Sequence, residues 1–440
     1  MTQATTAKPE PTTGRQARSI TSLLQSMEID TRLLGMIFAL AIIWVVFNVM
    51  SGGIFLSPRN LWYLSVQSAA VAVMACGMVL VIVSRNIDLS VGSIVGLTGY
   101  VMAMVQAVWI PTTLKLGFDQ PYTWFVALAV GLLLGAAIGA FQGLIVAYGK
   151  VPSFIVTLGG MLVWRGLVFE IQQGQTISPL DKTFDIIGGG LPNGAIGSVP
   201  SLALGIVGCV LIVYAMVSSR RKRAGYGFPV RPVWALVAVT AAGCIAILGA
   251  VWVVNSYMWP AGLATAYALA HGITEPPGGL QIPVGIAAPV LIVLGVTLGV
   301  TFLATRRKFG RYVFAIGGNP EAAELGGINT KATILKTFTL MGILSAVSGA
   351  IYAARLDSGV TSLGTGDELA VIAAAVIGGT SFAGGIGTIP GAVMGAVVMQ
   401  SLRSGMILLK FDSPVQDIVV GAVLVAAVGL DVFLHRRRAS

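Results

Sequence analysis

Apolar runs of about 20 residues recur along this 440-residue chain, separated by short polar connections. A helix of about 20 residues is what crosses the roughly 30 Å of hydrocarbon in a bilayer. In that medium every backbone N–H and C=O must find its partner within the protein, which leaves helices and closed barrels as spanning structures. The runs do not alternate polar and apolar residues as barrel strands do. They predict spans at 33–51, 64–83, 88–109, 122–147, 153–170, 200–218, 233–254, 283–304, 333–353, 369–380, 386–403 and 415–434. The fold class is therefore an all-α polytopic membrane protein of about 10–12 transmembrane helices. Charged residues make up 10% of the chain, against about 25% in soluble domains.

The net charge of +10 sits in clusters at the ends of spans: RRKR (Arg220 to Arg223), RRKFGR (Arg306 to Arg311) and HRRR (His435 to Arg438). Cationic residues of this kind fix cytoplasmic loops. With the N-terminus inside, all three clusters fall in the cytoplasm, so the expected orientation is multi-pass with both termini cytoplasmic. That distribution excludes a nucleic-acid surface. Residues 1–31 read as a disordered cytoplasmic tail, 32–434 as a single transmembrane domain, and 435–440 as a basic cytoplasmic C-terminus. Loops 171–199 and 255–282 fall outside, and neither is large enough to be a domain.

Two stretches interrupt the hydrophobic pattern, one in each half of the chain. SRNIDLSVGSIVG (Ser84 to Gly96) follows the second span, and GGTSFAGGIGTIPG (Gly378 to Gly391) follows an unusually short apolar segment. Within them VGSIVG (Val91 to Gly96) and IGTIPG (Ile386 to Gly391) share one pattern of branched apolar, Gly, hydroxyl, Ile and Gly, a weak internal repeat. Irregular backbone at membrane depth is tolerated where it is buried in protein or lines a water-filled cavity. Paired Gly-broken helices in two halves point at a translocation pathway. The candidate pathway residues are Asn86, Asp88, Ser90, Gly92 and Ser93 in the first break, and Thr380, Ser381, Gly385, Gly387 and Thr388 in the second. Their hydroxyls and amides suit a neutral, hydroxylated solute. By contrast Gly131, Gly135 and Gly139, in GLLLGAAIG, read as close helix packing. Asp88, Arg165 and Glu170 are the ionisable residues nearest the spans; Asp88 is either a pathway group or the cap of a half-helix, and Arg165 and Glu170 are structural or substrate-facing.

Between two apolar spans stands GGNPEAAELGGINT (Gly317 to Thr330). Asn319 suits an N-cap, Pro320 the first helical position and Glu321 the positive end of the helix dipole. Ala322, Ala323, Glu324 and Leu325 favour helix, Gly326 or Gly327 ends it, and Asn329 and Thr330 can cap the next one. A helix of about two turns is unstable alone, so it needs a bundle or a partner to hold it. The strong caps favour a rigid docking element.

The chain carries no engine. GLIVAYGKV (Gly143 to Val151) has the wrong spacing for a phosphate-binding loop, and Val151 stands where the magnesium-binding hydroxyl belongs. No catalytic constellation, metal-ligand cluster or cofactor fingerprint is found, and Cys76, Cys209 and Cys244 lie apart inside apolar runs. The expectation is no enzyme, no metal and no cofactor.

NIDLSVGSIVGLTG, FAIGGNPEAAELGGI and VIGGTSFAGGIGT together resemble the inner-membrane permeases of ribose/xylose-type sugar ABC importers, over about 300 residues. Branched-chain amino acid permeases share the broad class, with signatures that match less well. The resemblance implies a bacterial inner-membrane permease subunit whose partners are a cytoplasmic ATP-binding subunit, a periplasmic sugar-binding protein and a second permease copy in the lipid bilayer. It also implies that 306–331 is a cytoplasmic coupling loop, with Gly318, Asn319, Pro320, Glu321, Ala322, Ala323, Glu324 and Gly326 carrying contact to the ATPase. The familiar core has about ten helices; the added pair at 200–254 resembles D-xylose permeases. The competing expectation is an ion-gradient-driven secondary transporter of a small neutral solute, for which Asp88 is the fair acidic candidate.

Overall fold

The computed structural model describes residues 31–439. The expected tail therefore lies outside the described residues, apart from Thr31, and the side chains of 435–440 are likewise outside them. Fifteen helices follow one another: α1 (Thr31–Met50), α2 (Pro58–Val83), α3 (Val91–Met104), α4 (Thr123–Ala147), α5 (Ser153–Gln172), α6 (Ser198–Gly225), α7 (Val233–Asn255), α8 (Ala261–Ala270), α9 (Ala288–Arg306), α10 (Lys308–Gly318), α11 (Pro320–Leu325), α12 (Thr330–Leu356), α13 (Asp367–Ile377), α14 (Ile389–Leu408) and α15 (Ser413–Ala439). A wider helical turn, Val105–Thr113, extends α3 and contains Pro111. Ten spans, one of them α3 together with that turn, are long and apolar enough to cross a membrane. The other two expected spans are α13, at 11 residues too short, and α15, whose described apolar part runs from Ser413 to Gly429. Among the described residues β pairing is limited to isolated bridges.

The bundle is built around α2. Ser57 starts it, its hydroxyl accepting from the Asn60 N–H, with Pro58 at the first position. From Ser68 to Val83 every residue is buried, on all sides of the helix rather than one face. Such a helix has no polar face because it meets neither water nor lipid. α9, α12, α13 and α14 pack around it.

α4 crosses α12 through glycines. A methyl group placed on Gly135 would lie 2.4 Å from the Gly342 carbonyl oxygen, and one on Gly139 would lie 2.3 Å from that of Phe338. Gly131 faces Met102 of α3 instead. The close-packing reading of this stripe holds, since small residues let helix backbones approach in a medium without a hydrophobic driving force between helices.

α6 and α7 form a hairpin on the outside of the bundle, with large apolar side chains such as Leu211, Ile245 and Trp252 exposed. Its base is stitched by backbone bonds between two segments: Ile196 N–H to the Ile286 oxygen (3.0 Å), Gly197 N–H to Val284 (3.1 Å) and Ala288 N–H to Gly194 (2.8 Å).

The connection from α5 to α6 packs on the C-terminal end of α12 through a short 3₁₀ turn, Phe184–Gly188. Burial, and then the negative charges of Asp357, Asp181 and Asp119, push the Asp185 carboxyl up to about 7 from an ordinary 3.8. The folded chain thus resists ionising this group, whereas the unfolded chain ionises it freely. Its contribution to stability is intact below about pH 4, falls as pH rises towards 7, and is level above.

Two outcomes are expected. Gly139→Val should cost about 1–3 kcal/mol by overpacking and reduce monodisperse protein in size-exclusion chromatography, whereas Gly159→Ala, with open space around it, should not. Asp185→Asn should raise the melting temperature by an amount that grows between pH 4 and 7. Because the group is half exposed and screened, the gain is on the order of a few degrees at pH 8, read by differential scanning fluorimetry.

Candidate functional site

The polar mini-helix forms as its sequence dictates. The Asn319 side chain accepts from the Ala322 N–H at 3.0 Å, Pro320 takes the first position, and Gly327 turns out of the helix at φ +80°. Asn329 then caps α12, accepting from the Ala332 N–H at 2.9 Å. Of α11, Ala323 is buried against the body while Glu321, Ala322 and Glu324 are exposed. Leu325 is 91% exposed, an apolar knob held at the tip of a rigid element.

α10 leads into α11 through Gly317 and Gly318, and there three backbones meet. Arg85, at the start of the first break, donates from Nε to the Gly317 oxygen and from a terminal nitrogen to the Gly318 oxygen, each at 2.8 Å. Arg85 itself sits at φ +62°. The Gly385 N–H, in the second break, donates to the Val83 oxygen at 3.0 Å. A methyl group on Gly317 would lie 1.8 Å from that same Val83 oxygen and 2.5 Å from the Gly385 nitrogen. The end of α2, both helix breaks and the entrance to α11 therefore form one knot.

Beyond the knot, the residues of the first break face each other. Asn86 donates to the Ser84 oxygen at 2.9 Å, and the Ser93 hydroxyl donates to the Ser90 oxygen at 2.7 Å. Asp88 accepts from the Ser90 N–H (2.9 Å) and hydroxyl (2.6 Å), which fixes the residue before α3, while α3 itself opens at Val91 without a side-chain cap. The Ser90 hydroxyl also lies 3.0 Å from the side-chain amide oxygen of Gln142 in α4. Gly92 abuts the Gly364 oxygen and the Glu368 carboxylate. In the second break Gly387 and Thr388, with Gly378, Gly379 and Thr301, line a cavity of about 480 Å³ beside α1 and α9. The buried Thr380 hydroxyl has no hydrogen-bond partner, and Ser381 accepts from the Ala383 N–H. The repeat is out of register: Val91 to Gly96 is helical throughout, whereas Ile386 to Thr388 is not helical and α14 opens only at Ile389.

A further irregular segment, 357–366, joins α12 to the short α13 and runs alongside α3, with Gly359, Leu363 and Gly364 against Ala103, Gly96 and Gly92 in turn. Arg165 of α5 satisfies its carbonyls, donating to Leu363 at 2.8 Å and Thr361 at 3.4 Å. Asp367, at the start of α13, pairs with Arg403 of α14 at 2.8 Å. Glu368, in the same turn, has one buried oxygen without a partner.

Comparison with known proteins follows from this geometry. A family model described as the branched-chain amino acid transport system permease component matches residues 60–428. The chain belongs to this permease family. The xylose transport system permease protein XylH of Escherichia coli K12 is 40% identical over 402 residues, covering 91% of this chain and 92% of that protein. The XylH protein of Haemophilus influenzae is 37% identical over 396 residues, 90% of this chain and 95% of the other. The ribose import permease protein RbsC of Escherichia coli K12 is 30% identical over 396 residues, again covering 90% and 92%. No solved structure matches the permease.

The permease carries its intramembrane charge partly where the sequence reading did not look. Asp88, Arg165 and Glu170 are not the full set: Asp367, Glu368 and Arg403 lie in or beside short apolar stretches, and only the fold of 357–366 brings them inward. Arg165 resolves to a carbonyl clamp. Arg85 was visible as a lone cation in a polar break, with nothing in the sequence to name its partner.

The knot makes a matched prediction for the permease. Gly317→Ala should lose folded protein in detergent, because its methyl group would meet backbone on two sides. Gly318→Ala, with nothing within 4 Å, should retain it. Equal yields of the two variants would disprove the knot.

Proposed function

We propose that the permease is the membrane-spanning subunit of an ATP-binding-cassette importer that brings a pentose, D-xylose foremost, across the bacterial inner membrane. It works as a pair of copies with a separate cytoplasmic ATP-binding subunit, which alone hydrolyses ATP, and a periplasmic sugar-binding protein. Both termini and the 306–331 loop lie in the cytoplasm. The pentose rests on the names of the XylH and RbsC relatives.

One observation carries the coupling mechanism: Arg85 holds the two carbonyls that lead into α11 while its own backbone belongs to the first break. Glu321, Glu324 and Leu325 present charge and an apolar knob to a groove of the ATPase. When that groove moves, α11 moves as a rigid body, because its caps leave it no cheaper way to deform. The displacement reaches Val83 and Gly385 through the knot and shifts both breaks together. Asn86, Asp88, Ser90, Gly92 and Ser93 on one side, and Thr380, Ser381, Gly385, Gly387 and Thr388 on the other, form the walls that part around the solute. Their polar groups, paired within the chain except for the Thr380 hydroxyl, exchange partners with sugar hydroxyls as the solute passes.

The test is ATP-driven uptake of labelled D-xylose by the three-component system in proteoliposomes. Glu321→Arg should abolish uptake while membrane insertion and pentose binding by the separate protein persist. Uptake that survives Glu321→Arg, or that collapses with an uncoupler at constant ATP, would overturn the coupling assignment.

A further inference from the structure

At the end of the bundle opposite α11, the last turn of α12, segment 357–366 and α14 line an open cavity of about 190 Å³. It lies one full length of α12 from the coupling helix, about 40 Å at 1.5 Å per residue over 27 residues. Its wall includes Tyr352, Arg355, Ser362, Thr365, Asp367 and Arg403. None of these was singled out by the sequence, and the coupling mechanism uses none of them.

The lining has a particular chemistry. Asp367 is an acceptor fixed by its 2.8 Å bond from Arg403. Arg355 and Arg403 are planar donors, and Ser362 and Thr365 can donate or accept. The Arg355 guanidinium lies over the Tyr352 ring, 5.6 Å from its centroid, which holds both side chains against the wall. Charge balances locally: Arg355 and Arg403 stand against Asp367 and the adjacent Glu368. A cavity with balanced charge has no net attraction for an anion such as a sugar phosphate, nor for a cation. What it offers is a dense set of fixed donors and acceptors beside an aromatic ring. Vicinal hydroxyls on a ring with an apolar C–H face complement that set. In volume the cavity equals about six liquid waters at roughly 30 Å³ each, comparable to one sugar ring of ten heavy atoms.

The floor of the cavity connects to the pathway. Gly364 and Asp367 belong to its wall, and a methyl group on Gly92, in the first break, would lie 2.2 Å from the Gly364 oxygen and 2.3 Å from Glu368 Oε2. That Oε2 is the buried oxygen with no partner. One thin loop, carried at Gly364 and Gly366 by φ of +68° and +78°, thus separates the cavity from the first break.

We propose that this cavity is an entry site for a single uncharged monosaccharide, held by Tyr352, Arg355, Asp367 and Arg403 before the 357–366 loop lets it pass to Glu368 and the first break. The proposal rests on the sugar-import reading above and adds to it a sugar site on the permease itself, separate from the binding protein.

The experiment uses the assembled permease and ATPase with Cys76, Cys209 and Cys244 replaced by Ala, and Ser362→Cys as the probe. Ser362 is exposed at the cavity rim, so a maleimide reaches it. D-xylose should slow labelling severalfold, while ribose 5-phosphate and an equal osmolarity of sodium chloride should not. Arg355→Gln with Tyr352→Phe should remove the protection, read as the ratio of labelling rates with and without D-xylose in the same variant. Labelling unaffected by D-xylose, or slowed equally by salt, would overturn the site, as would protection that survives the double substitution. ATP-driven uptake measured on the same preparation separates the two readings. Uptake without protection removes the entry site and leaves import; protection without uptake in the presence of the sugar-binding protein removes import and leaves the site.

Discussion

A carbonyl oxygen freed from helical pairing needs a donor from elsewhere in the chain, and the irregular segments of this protein meet that constraint with arginine. Each break in helical hydrogen bonding leaves C=O groups that are costly to bury without a partner. Arg85 takes two such groups at Gly317 and Gly318, and Arg165 takes two at Thr361 and Leu363. A guanidinium suits the task because its donors are fixed in a planar fork and it stays charged. The same bonds that make the breaks possible also tie each break to an element distant in sequence. Satisfying the backbone and connecting the parts are thus one interaction.

Glycine plays two parts in this framework. Between α4 and α12 it lets long regular helices approach, and the crossing at Gly135, Gly139 and Gly342 makes one stiff unit of them. Around Gly317, Gly364 and Gly385 it lets irregular backbones touch directly, with no side chain between to absorb displacement. α12 belongs to both regions, starting at the cap after α11 and ending at the wall of the far cavity. A stiff rod pinned at its midpoint by α4 is a direct route from one end of the bundle to the other.

Much of this was written in local signals. The spans followed from apolar length, and each has a helix within a few residues. The caps at Asn319 and Asn329 and the turn at Gly327 are short-range chemistry, so α11 was legible almost to the residue. The stripe of α4 was legible because its spacing is that of one helix face. What escaped was long-range. Nothing near Arg85 indicates Gly317, 232 residues away, and nothing near Asp367 indicates Arg403. Segment 357–366 fell between two expected spans, and a run of turns leaves no periodicity to read. The repeat of VGSIVG and IGTIPG shared letters but not conformation, because Pro390 sets the start of α14 while Val91 already stands in α3. The exposed Leu325 could not be told from a core leucine until its surroundings were known.

The stitch at the base of the α6–α7 hairpin has an architectural meaning of its own. Residues 194–197 and 284–288 are bonded to one another, and the chain between them leaves and returns at a single point. That detour holds an even number of crossings, so deleting it would leave the sidedness of every later helix unchanged. Gly197 and Gly285 approach so closely that a methyl group on the latter would lie 2.3 Å from the carbonyl oxygen of the former. Spliced at this junction, the polypeptide would close on itself without moving α5 or α9. The detour is also anchored to the body, since Tyr257 and Trp259 at its return pack with Trp62 and Val66 of α2 in one apolar cluster.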